Sequence, residues 1–156
     1  MTKKPLALLL INIIQTTTST EIVMTIMHKF KQNKLWRDKM PPMSEAQGSI
    51  IHIQQLSDTE YDAQLRVKLD EETTEVIVAQ SHKELLEELA DVYEVIDALC
   101  ALHNISKDEL LAAQHKKYES RGGFYERAFV TIAEHPAGSF GEQYCRAQPE
   151  KYPEVL

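Results

Sequence analysis

The chain has 156 residues, 43% of them hydrophobic, enough for one domain with a core of its own. The formal net charge of -7 argues against a broad nucleic-acid surface, because phosphate backbones are held by clustered Lys and Arg. Two cysteines, Cys100 and Cys145, stand far apart without metal-ligand spacing, which excludes a disulfide framework or a zinc site and fits a reducing, cytoplasmic compartment.

In chain order, Lys3 and Lys4 followed by the apolar run Leu6 to Ile14 imitate a secretory signal. No small-residue cleavage site follows, and the run is too short to span a bilayer, so no membrane is expected as a partner. A signal, a packed N-terminal helix and an extension upstream of a true start at Met24 or Met27 compete, and the extension is favoured. Residues 1–27 are accordingly set apart from a domain over 28–156. Pro41-Pro42 breaks regular structure, and Ser49 to Gln54 alternates weakly, as a short strand or an extended lead-in.

Three helix starts then use one device, a Ser followed three residues later by Glu: Ser57/Glu60, Ser81/Glu84 and Ser106/Glu109. Helical periodicity predicts helices over 58–80, 82–103 and 107–120, with Asn104 and Gly122 near the last two ends. Gly122-Gly123 reads as a turn and Phe124 to Ile132 as a strand. The Pro- and Gly-containing tail from His135 reads as loops with one short helical turn. The expected fold is mainly α, a helical bundle with minor β pieces.

In the first long helix Leu65, Leu69, Val76 and Ala79 form a stripe at helical spacing, and Glu72 takes a position in that stripe where an apolar residue belongs. Glu75 lies one turn on, with Glu71 beside them. In the next helix Leu85, Leu89, Val92, Ile96 and Leu99 make an uninterrupted stripe edged by Glu88 and Asp91. The brief connection at Ser81 predicts antiparallel neighbours that bring both acid pairs together. Ionised carboxylates beside apolar side chains repel one another and lose solvation, unless a cation neutralises them. Hard oxygen ligands select magnesium, or manganese, and such an ion also binds phosphate oxygens. The plainer alternative is a set of solvated helix charges, as Glu60, Glu84, Glu87 and Glu109 are expected to be.

Taken together, Glu72-Thr73-Thr74-Glu75, twelve residues, then Glu88-Leu89-Ala90-Asp91 resembles the signature of the all-α nucleotide pyrophosphohydrolases that include MazG and phosphoribosyl-ATP pyrophosphohydrolase. Asn33 to Pro41, Arg121-Gly122-Gly123-Phe124 and Pro149 to Pro153 are similar to segments of the small MazG-like members. Trp36 and Pro42-Met43 depart from their pattern. The resemblance runs from about Phe30 to the end of the sequence. It implies that Glu72, Glu75, Glu88 and Asp91 ligate magnesium while water attacks the α-phosphorus, giving a nucleoside monophosphate and pyrophosphate. Glu75 is the preferred base among the carboxylates, with Glu72 beside it, and Glu71 is expected just behind the ligands.

A triphosphate also needs positive charge on the side away from the metal, for which Lys34, Arg37, Lys117 and Arg121 are the candidates. Each has an ordinary alternative, as surface charge or, for Arg121, as a cation near a helix C-cap. The six histidines show no paired metal spacing and are assigned to surface or helix-end roles. Trp36 is read as packing rather than base stacking, and Cys100 as core. The expected function is hydrolysis of a nucleoside triphosphate, canonical or modified. Hydrolysis of phosphoribosyl-ATP in histidine biosynthesis and a non-catalytic helical oligomerisation module are the alternatives. A homo-oligomer is expected because three such helices have little scope to cover their apolar stripes alone.

Overall fold

A computed structural model describes residues 26–155. The expectation for residues 1–27 falls almost wholly outside them. Five helices follow in order: α1 Met40–Ala46, α2 Asp58–Val78, α3 His82–Leu102, α4 Lys107–Arg121 and α5 Phe140–Arg146. The chain divides into two units, one ending at Asn104 and the other starting at Ile105.

The expected Ser caps are in place. In α2 and α4, Ser57 and Ser106 accept from the backbone N–H groups of Glu60 and Glu109, whose carboxylates accept in return from the cap N–H groups. Ser81 accepts from the Glu84 N–H, while the Glu84 carboxylate reaches one residue further back, to the Gln80 N–H at 2.9 Å. Ser139 caps α5 in the same way through Glu142, a fourth Ser-x-x-Glu that the sequence reading passed over. Pro41-Pro42 does not break structure but opens α1. Proline's missing N–H costs nothing in a first turn, and its fixed φ already suits the helix.

The minor β pieces are not there: among the described residues the fold is all-α, with no strand. Ser49 to Gln54 is the extended lead-in to α2, with Ile50 and Ile53 exposed. Phe124 to Ile132 is irregular. Its backbone turns at Arg127, where φ is 54° and the N–H bonds back to the Phe124 carbonyl, and Phe124, Phe129 and Val130 are exposed. A strand needs a neighbour to take its backbone donors and acceptors, and neither segment has one.

In the first unit α2 and α3 pack against each other. Their antiparallel course follows from the short Ala79–Ser81 link and from His103, just past the end of α3, which meets Asp62 in the first turns of α2 at 2.6 Å. Among the described residues Leu65 of α2 and Val95 of α3 are the buried apolar side chains, and Glu72 is the buried charged one. Leu69, Val76, Val92, Ile96, Leu99 and Cys100 are half-buried around them. Val67, Ile77, Leu86, Leu89 and Tyr93 leave the same hairpin with exposed apolar surface.

Candidate metal centre on the helix hairpin

The site begins with helical phase. Leu65 and Glu72 are seven residues apart, two turns, so the position that buries Leu65 also buries Glu72, which is 3% exposed. Glu75, one turn on, reaches solvent, and Glu88 comes from α3 half-buried. One carboxylate oxygen from each of Glu72, Glu75 and Glu88 lies within 4.8 Å of the other two. Neither Glu75 nor Glu88 has an ion-pair partner among the described residues.

The Oε2 atoms of Glu72 and Glu88 are both buried and lack a hydrogen-bond partner. A buried carboxylate oxygen without a donor is costly, and two beside a third carboxylate repel as well. A hard divalent cation answers all three demands at once. Magnesium takes oxygen ligands, carboxylates among them, and all three donors here are of that kind. The donors therefore fit such an ion.

Around the trio stand basic side chains. Lys68, which the sequence reading did not single out, sits one turn before Glu72, forms an ion pair with its Oε1, and donates to Glu71 Oε1 at 3.0 Å. Its i,i+3 and i,i+4 spacing to two acids was the available signal. Burial alone would lower the Lys68 ammonium, but its bonds to Glu72 and Glu71 outweigh that and raise it above the ordinary lysine value. Lys34 donates to the same Glu71 oxygen at 3.0 Å, and the two lysines hold the Glu71 carboxyl below its usual range. Arg37 pairs with Asp91 and lies 3.8 Å from Glu94. The Asn33–Arg37 segment thus straps α2 to α3 beside the acids.

The remaining sequence candidates fall as follows. Asp91, half-buried on α3, is outside the trio and holds Arg37. Lys117 and Arg121 belong to the second unit. There Lys117 lines a shallow recess with Tyr118, Gly122, Gly123, Phe124 and Tyr125, and Arg121 ends α4. Gly122 takes φ of 76° as the α4 cap, and Gly123 lies so close to the rings of Tyr118 and Tyr125 that a Cβ would stand 2.9 Å from the latter. The expected turn there is a requirement of backbone and packing. His103 fills the helix-end role expected of it.

A paired-helix scaffold with a carboxylate cluster competent for a divalent cation is the class that fold and site define. Residues 46–118, just under half of the chain, match the family model described as phosphoribosyl-ATP pyrophosphohydrolase. The match bears out the resemblance seen in the sequence and takes in both halves of the Glu-x-x-Glu and Glu-x-x-Asp signature. Comparison with curated proteins and with solved structures gives no significant match.

Proposed function

We propose that the protein is a divalent-cation-dependent nucleotide pyrophosphohydrolase. The observation that carries the reading is the meeting of Glu72, Glu75 and Glu88, with two orphaned buried oxygens, inside the span that matches a pyrophosphohydrolase family. Glu72, Glu75 and Glu88, joined by Asp91 once Arg37 turns away, would hold magnesium or manganese. When bound, the ion offsets phosphate charge and favours deprotonation of water. Glu75, exposed and without an ion-pair partner, takes the proton of the attacking water. The water oxygen bonds to the α-phosphorus, and the bridging oxygen leaves with the β-phosphate as pyrophosphate. Arg37 and Lys34 are the cations proposed for substrate phosphates in the first unit, and Lys117 and Arg121 are proposed as phosphate-binding cations of the second unit taken by itself.

Of the two substrates in view, the family match favours phosphoribosyl-ATP over a free nucleoside triphosphate. The triphosphate reading keeps its own support in Arg121-Gly122-Gly123-Phe124, all of which lies beyond the matched residues and resembles the small MazG-like proteins. Assay of phosphoribosyl-ATP beside canonical, oxidised and deaminated triphosphates, with magnesium, separates them by which releases pyrophosphate. Release of orthophosphate instead, or full turnover by both Glu72→Gln and Asp91→Asn, sinks the reading.

The proposal includes a second copy of the chain over the exposed apolar face of the hairpin, where Ile77, Leu86, Leu89 and Tyr93 lie. A monomer by light scattering contradicts it. No helix among the described residues is long and apolar enough to cross a membrane. A cytoplasmic setting is part of the same reading, with Cys100 and Cys145 free.

A further inference from the structure

Two lysine–glutamate pairs with i,i+4 spacing stand on neighbouring helices and differ in kind. Lys83 and Glu87 on α3 face each other at 3.6 Å with side chains 84% and 58% exposed, a solvated pair of the sort that contributes little. Lys68 and Glu72 on α2 share the spacing, but the lysine side chain is 22% exposed and its partner is buried. A helical side chain leans toward the preceding turn, so Glu72 is directed back over Lys68. Lys68 in turn is fixed from its other side by Glu71, which Lys34 also holds. The run Lys34, Glu71, Lys68, Glu72 thus ends on a carboxylate whose two oxygens have different surroundings: Oε1 meets the lysine, and Oε2 is buried without a donor.

We propose that Lys68 is a positioning residue of the carboxylate site: by gripping Glu72 through Oε1 it fixes that side chain so that Oε2 is the atom offered to a divalent cation. The inference rests on the metal-site reading above. It also makes Glu72 a one-oxygen ligand, with Glu71 and Lys34 acting on the site through Lys68.

The sign of one measurement decides it. Removing Lys68 makes the site one charge more negative, and Coulomb attraction alone then tightens cation binding. Loss of positioning weakens it, by about tenfold or more on the scale found for groups that orient ligands. The full chain is titrated with Mn2+ by calorimetry and by the paramagnetic signal of the free ion, as wild type, Lys68→Met, Lys68→Arg, Lys83→Met and Glu72→Gln. We expect Lys68→Met to bind Mn2+ about tenfold or more weakly, with an unchanged helical spectrum and melt. Lys68→Arg should restore most of the affinity, and Lys83→Met should match wild type. Where turnover is measured, Lys68→Met should recover activity at raised Mn2+, a rescue that damaged folding would not show. Unchanged or tighter binding by Lys68→Met overturns the proposal, as does failure of arginine to restore it. Lys68→Gln, a good helix former, stands in under the same criterion should the methionine variant not fold. If wild type binds no Mn2+, or Glu72→Gln binds it equally well, the site itself is lost and the proposal with it, an outcome distinct from a binding site indifferent to Lys68.

Discussion

The α2–α3 hairpin and the unit from Ile105 onward both open their helices on Ser-x-x-Glu and both carry local ion pairs, yet the hairpin adds pairs of another kind. In the hairpin the acids meet bases from far along the chain: Lys34 with Glu71, 37 residues apart, Arg37 with Asp91, 54 apart, and His103 with Asp62, 41 apart. In the second unit the ion pairs of Arg146 and His115 are local. Arg146 holds Glu142 one turn back and Glu154 eight residues on, and His115 faces Glu119 one turn on. Local pairs support a helix, whereas distant ones fix how elements stand against each other. The carboxylate cluster occurs where the second kind is present.

The sharpest way to break that contrast is at Glu72. Glu72→Gln keeps shape but removes the charge, and turnover should fall by more than about 100-fold, since even groups that only orient a metal ligand cost about 10–100-fold. Glu72→Leu should lose cation binding yet melt at a higher temperature than wild type without added metal. It replaces a buried carboxylate carrying an orphaned oxygen with an apolar side chain in a core position. A lower melting temperature for the leucine variant would mean that Lys68 and Glu72 contribute net stability.

Next in size is the response to metal. Magnesium at 100 times its dissociation constant should stabilise the fold by about 2.7 kcal/mol if it binds the folded chain alone. Hydrogen exchange should show that protection confined to α2 and α3, with α5 exchanging as before. Equal slowing in α5 would remove the distinction between the two units.

How much of this could be read from the sequence follows the same division. The three long helices were legible within two residues at each end because their signals are local: a Ser cap, a Glu three residues later and a 3.6-residue repeat. Glu72 was legible as a buried acid because helical phase is also local. The strand expected over Phe124 to Ile132 failed because apolar β-favouring residues do not supply a partner strand. Lys68 and the Arg37–Asp91 pair were missed for related reasons. An i,i+4 lysine looks the same whether its glutamate is solvated or buried, and nothing in the sequence tells that Arg37 meets α3. The α5 start was readable from Ser139 and Glu142 but lay in a tail whose Pro and Gly content suggested loops.

The caps allow a finer test. Ser57→Ala and Ser139→Ala each remove an acceptor for a first-turn N–H, for which a cost of about 1 kcal/mol is usual. At Ser57 the loss should appear in the denaturant midpoint of the α2–α3 hairpin, since α2 carries buried residues there. At Ser139 it should appear as faster local exchange in the seven-residue α5, which buries none. A global shift from Ser139→Ala would show that the second unit unfolds together with the first.

The smallest effect concerns the open end of the hairpin. Asp62 accepts from Arg66 at 2.7 Å and meets His103 at 2.6 Å, and these partners, Arg66 first, lower its carboxyl from 3.8 to about 2. A carboxyl held below its unfolded value lends stability that is fully present above pH 3.8 and is lost as pH falls through about 2, because the unfolded chain takes up the proton first. The pair is open to solvent, so the contribution is small and screened by salt. Denaturant midpoints of wild type and Asp62→Asn should therefore differ by a constant amount from pH 7 down to about 4, and the gap should close between about 4 and 2. Arg66→Gln removes the larger cause and should shift that closing window upward toward the ordinary carboxyl range, leaving the His103 contact to hold the rest. A gap that persists unchanged at pH 2 would mean that Asp62 joins α2 to the end of α3 through hydrogen bonds that the protonated carboxyl keeps and the amide cannot make, and that charge plays no part in fastening this end of the hairpin.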